Sequence, residues 1–136
     1  MKGFVYLEEM ETPVGCPDCV KIGESHRELL SDRTSENERG YCNCKCKRTV
    51  YAIAVPDSRK TEKELHEVFS QQRFSIGKYQ PELFLLNPTV TMLDYMKPMK
   101  KLVEDGKAIR VFPSCRYDTI SEVPPISEIV LPSSFN

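Results

Sequence analysis

The chain has 136 residues, 40% of them hydrophobic, which is enough for one globular domain with a single core and a tail. Its 19 basic and 20 acidic residues nearly cancel, which gives no global electrostatic pull toward nucleic acid and leaves that task to local patches. The longest apolar run, Val50 to Val55, falls far short of the roughly 20 residues that span a bilayer, and no secretory segment opens the chain, so the expectation is an intracellular protein, cytoplasmic or nuclear according to the host.

Gly3 to Leu7 reads as a strand, the acidic Pro- and Gly-containing stretch Glu8 to Asp18 as a long loop, and Val20 to Gly23 as a second strand closing a hairpin. Ser25-His26-Arg27-Glu28 has the Ser-x-x-Glu spacing of a capping box and predicts a helix running to about Glu36. The β-branched and aromatic run Thr49 to Val55 predicts a third, buried strand, closed by Pro56-Asp57-Ser58. From Thr61 to Gln71 the period becomes helical, with Glu62, Leu65, His66 and Phe69 on one stripe, so a carboxylate and an imidazole share the packed face. Glu82 to Leu86 is a short strand or extended segment, Thr91 to Glu104 a helix that Pro98 kinks or restarts, and Ala108 to Phe112 a candidate further strand. Residues Ser121 to Asn136, rich in Pro and Ser, are expected to drape over the surface or stay mobile. Lys45, Lys47 and Arg48, and then Lys97, Lys100 and Lys101, are local basic runs able to form a positive track.

Five of the six cysteines fall in two tight clusters. A redox Cys-x-x-Cys pair follows a strand and opens a helix, whose dipole lowers the thiol pKa, whereas Cys16-Pro17-Asp18-Cys19 precedes a strand. Tetrahedral Zn²⁺ is the better reading, with Cys16 and Cys19 from the first cluster and two of Cys42, Cys44 and Cys46 from the second. Cys46 leaves the wider loop and is preferred, with Cys44 as its substitute. A thiol oxidoreductase using Cys16 and Cys19 stays as a minor alternative, and Cys115 as an ordinary extra thiol.

Gly3-Phe4-Val5-Tyr6, Val20-Lys21-Ile22-Gly23, the arginine-bearing first helix, Glu62-Lys63-Glu64-Leu65-His66 and Glu82-Leu83-Phe84, in that order, resemble the motifs of the GIY-YIG nuclease superfamily, in the branch common in phages and large DNA viruses. The resemblance covers about residues 3 to 86. It implies an α/β (α+β) domain over 1–105, a small, mostly antiparallel three-stranded sheet flanked by helices with zinc-binding loops inserted, and an extension over 106–136. It further implies an endonuclease that hydrolyses DNA phosphodiesters. Glu62 would hold Mg²⁺ or Mn²⁺, Arg33 (or Arg27) would contact phosphate, Tyr6 would orient or deprotonate the water, and Lys21 would stand where a second tyrosine usually helps. His66 would relay a proton or contact phosphate. The family's late asparagine has only Asn87 as a counterpart. The alternative, from another class, is a catalytically idle, zinc-stabilised module that binds DNA or a protein partner. Strand alternation allows Tyr6 and Lys21 to share a face.

Overall fold

The computed structural model describes residues 1–39, 45–74 and 83–132. Six strands form one antiparallel sheet in the order β4-β5-β2-β1-β3-β6, with three α-helices. Strand β1 (Gly3–Glu11) pairs with β2 (Cys19–Ser25) on one side and with β3 (Lys45–Val55) on the other. The remaining strands are β4 (Arg73–Phe74), β5 (Leu83–Leu85) and β6 (Ile109–Phe112).

The expected three strands are therefore corrected to six. The three long strands carry apolar, β-branched and aromatic runs, Phe4 to Leu7 and Val50 to Val55 above all, that mark a buried strand in sequence. β4 and β5 are only two and three residues long, too short for any period to show. They exist because β5 pairs with β2 at Cys19 to Lys21 and β4 pairs with β5.

Pairing also moves the expected boundaries. The Met10↔Cys19 and Glu11↔Lys45 pairs carry β1 to Glu11 and shorten the expected loop. Its turn uses Gly15 at φ 88°, a left-handed conformation glycine adopts without a Cβ clash. Ser25 does not start a helix, because it pairs with Phe4 at the end of β2. Its Oγ accepts from Arg27 N at 3.2 Å, a local turn in place of a cap, and the helix α1 begins only at Leu30 (Leu30–Arg39).

Two cores sandwich the sheet. On one face Val5, Leu7, Val20, Ile22, Ile53 and Val55 pack against Leu65 of α2 (Ser58–Val68), the adjoining Phe69, and Tyr95 and Met99 of α3 (Met92–Glu104). On the other, Phe4, Tyr6, Ala52 and Ala54 pack against Leu30 of α1 and against Val111, Val123, Ile126 and Ile129 from the C-terminal part. The small Ala52 and Ala54 stand directly across from the large Tyr6 and Phe4, which keeps this face level enough for both a helix and an extended chain to lie on it.

Helix α2 starts where Asp57 caps it, its carboxylate accepting from Lys60 N at 3.2 Å. Helix α3 runs through Pro98 as one element. It opens with a capping box between Thr91 and Asp94. The chain beyond β6 is tied to the turn just ahead of α1: Ile126 N donates to Glu28 O at 2.8 Å, and Ser127 N to the Glu28 carboxylate at 3.1 Å. Among the described residues no helix is long and apolar enough to cross a membrane.

Candidate functional site

Strand alternation places Tyr6, Glu8, Lys21 and Gly23 on the face of the sheet that α1 covers, with Tyr6 opposite Gly23 and Glu8 opposite Lys21. Helix α1 brings Arg33 and Asn37, one turn apart, down onto them. The Tyr6 hydroxyl accepts from Arg33 Nε at 3.2 Å and from Asn37 Nδ2 at 3.2 Å. Asn37 Nδ2 also donates to Glu8 Oε1 at 2.8 Å, and the Asn37 carbonyl accepts from Lys21 Nζ at 3.3 Å. Thr49 Oγ1 completes the cluster on Glu8 Oε2 at 3.4 Å.

Tyr6 and Glu8 are fully buried, whereas Arg33 and Lys21 are half-buried. Burial pushes the Glu8 carboxyl up to about 7, against the opposing pull of Cys46, Lys21, Asn37 and Thr49. Burial and then the Glu8 charge push the Tyr6 phenol upward, well out of reach of neutral pH. Tyr6 is a neutral hydroxyl in this setting.

Arg27 and Arg33 are separated by their surroundings. Both reach the Glu36 carboxylate, Arg27 Nη1 at 2.5 Å and Arg33 Nη1 at 3.3 Å, but Arg33 alone of the two touches Tyr6 among the described residues.

Glu62 and His66 stand on α2, across the sheet from that cluster. They line an open groove of about 570 Å³ with Glu24, Arg59, Glu67 and Arg73. His66 Nε2 donates to the Ile22 carbonyl at 2.8 Å, and its ring tilts against Phe84 at 5.1 Å. That bond fixes the proton on Nε2 and leaves Nδ1 as the acceptor of the neutral ring. Glu24 takes a 2.8 Å bond from Ser58 Oγ and faces Arg59 at 3.9 Å.

The two halves meet at adjacent residues of β2. His66 is anchored on Ile22, and the Tyr6 ring lies over Gly23, where a Cβ would come within 2.4 Å of the hydroxyl oxygen. β5 covers β2 only as far as Lys21 among the described residues, so this edge lies beyond the paired stretch.

Of the predicted site residues, Tyr6, Lys21 and Arg33 come into one bonded cluster, and Glu62 and His66 into one groove. Asn87 is placed elsewhere: its Oδ1 accepts from Thr89 N at 2.8 Å and Val90 N at 2.9 Å, closing its own turn. Glu82 lies outside the described residues. The sequence reading missed Glu8 and Asn37. Glu8 follows Phe4 and Tyr6 in strand phase, and Leu30, Thr34 and Asn37 form a buried helical stripe, a pattern that flags a polar residue turned inward.

Cys16, Cys19 and Cys46 enter one packed cluster with Met10 and Leu83 at the hairpin-loop end of the sheet, and Cys42 and Cys44 lie outside the described residues. Among the described residues no group of three His, Cys, Asp or Glu is placed to hold a metal ion. The basic run of β3 is matched across the strands, Lys45 with Glu11 at 3.6 Å, and Lys47 and Arg48 with Glu9 at 3.6 and 3.4 Å.

The T5orf172 domain family matches residues 3–100, most of the chain and all of the elements just described except the end of α3, β6 and the C-terminal segment. The chain belongs to the T5orf172 domain family. This overturns the resemblance to the GIY-YIG superfamily: short motifs in the right order carried that reading, and each is common among small sheet proteins, whereas the T5orf172 match spans whole elements. The T5orf172 domain is associated with nuclease-like and DNA-binding function and with phage or viral DNA-related proteins, without a specific activity. Neither a curated protein nor a solved structure matches the chain.

Proposed function

We propose that this T5orf172 domain is a divalent-metal-dependent endonuclease acting on DNA, with its site straddling the β2 edge at Ile22 and Gly23. The observation that carries the reading is the anchoring of His66 and Tyr6 on those two adjacent residues, which links the Arg33 cluster to the Glu62 groove around one strand.

Mg²⁺ or Mn²⁺ would be held through Glu62. No three of the described carboxylates and imidazoles form a ready ligand set, but Glu62 shares the groove with the oxygens of Glu24, Glu67 and Ser70, and Mg²⁺ takes one or two carboxylates together with substrate phosphates rather than an all-protein cage. Such an ion, when bound, neutralises charge on the phosphate and acidifies a bound water. Arg33 contributes a fixed positive charge to the phosphoryl oxygens. Tyr6 is its positioning residue: the buried neutral hydroxyl accepts from Nε and holds the guanidinium in one orientation, so deprotonation of water by Tyr6 is not part of the mechanism. Lys21 balances the Glu8 charge behind Asn37. His66 accepts a proton at Nδ1, its tautomer set by Ile22.

The test is incubation with supercoiled, linear and branched DNA in Mg²⁺ or Mn²⁺, with EDTA as control. Cleavage that Glu62→Ala abolishes while DNA binding persists, and that Arg33→Ala lowers where Arg27→Ala does not, supports the reading. Binding without cleavage of any substrate moves the assignment to an idle module for DNA or a protein partner, which the full burial of Tyr6 favours.

A structural Zn²⁺ at the cysteine end is a separate proposal. Its support is the gathering of Cys16, Cys19 and Cys46 in one cluster, thiols being the donors Zn²⁺ takes in structural sites.

A further inference from the structure

A second groove, of about 560 Å³, opens between α3 and β6, lined by Tyr51, Lys100, Glu104, Arg110 and Ser114. It lies on the α3 side of the sheet and shares no lining residue with the Glu62 groove. Tyr51 is 2% exposed, and among the described residues its hydroxyl has no hydrogen-bond partner. Buried hydroxyls are as a rule satisfied, so an orphan one turned into a groove marks a place for a ligand acceptor. Lys100 and Arg110 are both exposed cations on the same groove, and neither forms an ion pair among the described residues. Their neighbours differ: Lys97 and Lys101 on the same helix are paired with Asp94 at 3.7 Å and Asp105 at 2.9 Å.

We infer that this groove is a phosphate-binding subsite, in which Lys100 and Arg110 hold the oxyanion and the Tyr51 hydroxyl donates to it. Burial, and then the Glu104 charge, push the Tyr51 phenol up while Arg110 pulls it down, so at neutral pH the hydroxyl keeps the proton it donates. Arg presents a planar fork that matches phosphate, and Lys a point charge. Ser114 Oγ already accepts from Arg116 N at 3.1 Å, which leaves its own proton for the ligand. Glu104, one turn along α3 from Lys100, opposes the anion and limits its affinity. The phosphate is either a diester of a nucleic-acid backbone or a small phosphate compound. The subsite does not depend on hydrolysis at Glu62.

The experiment titrates the full chain with inorganic phosphate and with a short DNA duplex over a range of salt. Wild-type protein is expected to bind both, or phosphate alone if the natural ligand is small. Lys100→Ala with Arg110→Ala should weaken binding by about tenfold, the lower end of what hydrogen bonds to a charged group contribute. On DNA it should also lower the salt slope by about 0.9 for each phosphate that the protein no longer neutralises. Tyr51→Phe keeps the packed ring and should weaken binding while stability holds, since its hydroxyl bonds nothing described in the fold. Glu104→Gln should tighten binding. Wild-type values in all three variants, or a wild-type chain that binds neither probe, overturn the inference. Retained cleavage alongside unchanged affinity would leave the Glu62 site standing and this one refuted, and a chain that cuts nothing yet shows the variant pattern would do the reverse.

Discussion

The Tyr6 ring rests on the bare backbone of Gly23, its cross-strand partner, with no space between them for a methyl group. The absence of a side chain at position 23 is what lets a fully buried phenol reach sideways to Arg33 and Asn37. Gly23→Ala would put its Cβ 2.4 Å from the hydroxyl oxygen, and the ring has no cheap escape because Tyr6 is walled in on every side. The expected cost is about 1–3 kcal/mol, as for overpacking elsewhere, read as a lower midpoint in urea. Tyr6→Phe combined with Gly23→Ala should recover little of the loss, since the ring carbons Cζ and Cε2 would still lie 2.5 and 2.7 Å from the added Cβ.

Glu8 makes stability depend on pH in an unusual direction for a carboxylate. Its folded pKa, about 7, lies above the ordinary 4.5, so the folded state keeps a proton that the unfolded state releases. The contribution is complete below about pH 4.5 and is lost as pH rises through 7, on the order of 3 kcal/mol at 1.36 kcal/mol per pH unit. Glu8→Gln should flatten the profile between pH 5 and 8, which urea melts at several pH values would show. A wild-type chain with no fall in stability relative to Glu8→Gln over that range would mean that Glu8 is ionised in the fold.

In the pairs of Lys45, Lys47 and Arg48 with Glu9 and Glu11 the three bases and Glu11 are exposed and Glu9 is half-buried. Replacing all three bases by Ala should cost less than about 1 kcal/mol, because such pairs contribute little in water. A drop of several kcal/mol in a denaturant melt would show that the pairs hold the bulged β1–β3 register.

If Cys16, Cys19 and Cys46 take part in a zinc site, freshly purified, reduced protein should carry close to one equivalent of zinc by elemental analysis. Chelation should then lower the thermal midpoint, since site formation contributes to folding. Protein without zinc, or with a disulfide between Cys16 and Cys19, refutes the site.

Ile126 is 6% exposed against Phe4, Tyr6 and Leu30. Ile126→Ala should destabilise by about 2–5 kcal/mol. Because the same segment bonds Glu28, hydrogen exchange of the α1 amides should quicken more than that of α3.

The long strands were legible as β-branched and aromatic apolar runs, as in Val50 to Val55, and α2 as a 3.6-residue stripe, as in Leu65 to Phe69. β5 was not, since three residues pair only because Cys19 to Lys21 offer an edge. The Ser25 capping box misled for a related reason: a local side-chain signal lost to the ladder with Phe4. In the candidate site Tyr6, Lys21 and Arg33 were visible as residue types in order. Asn37 was hidden because α1 has a single apolar residue in its inward stripe, Leu30, and reads as a solvent-facing helix. The division of the site between two sheet faces depends on where helices cross, which no local pattern encodes.

Kinship with the T5orf172 domain stops at residue 100, yet Ala108, Val111, Val123, Ile126 and Ile129 are as deeply set as the residues they touch. Inheritance and cooperativity thus draw different borders through this molecule. A fragment cut at the evolutionary border would bare Phe4 and Ala54 to water and loosen the helix that presents Arg33. Any relative with a different ending must roof that face in its own way, and the guanidinium beneath inherits whatever firmness that roof has.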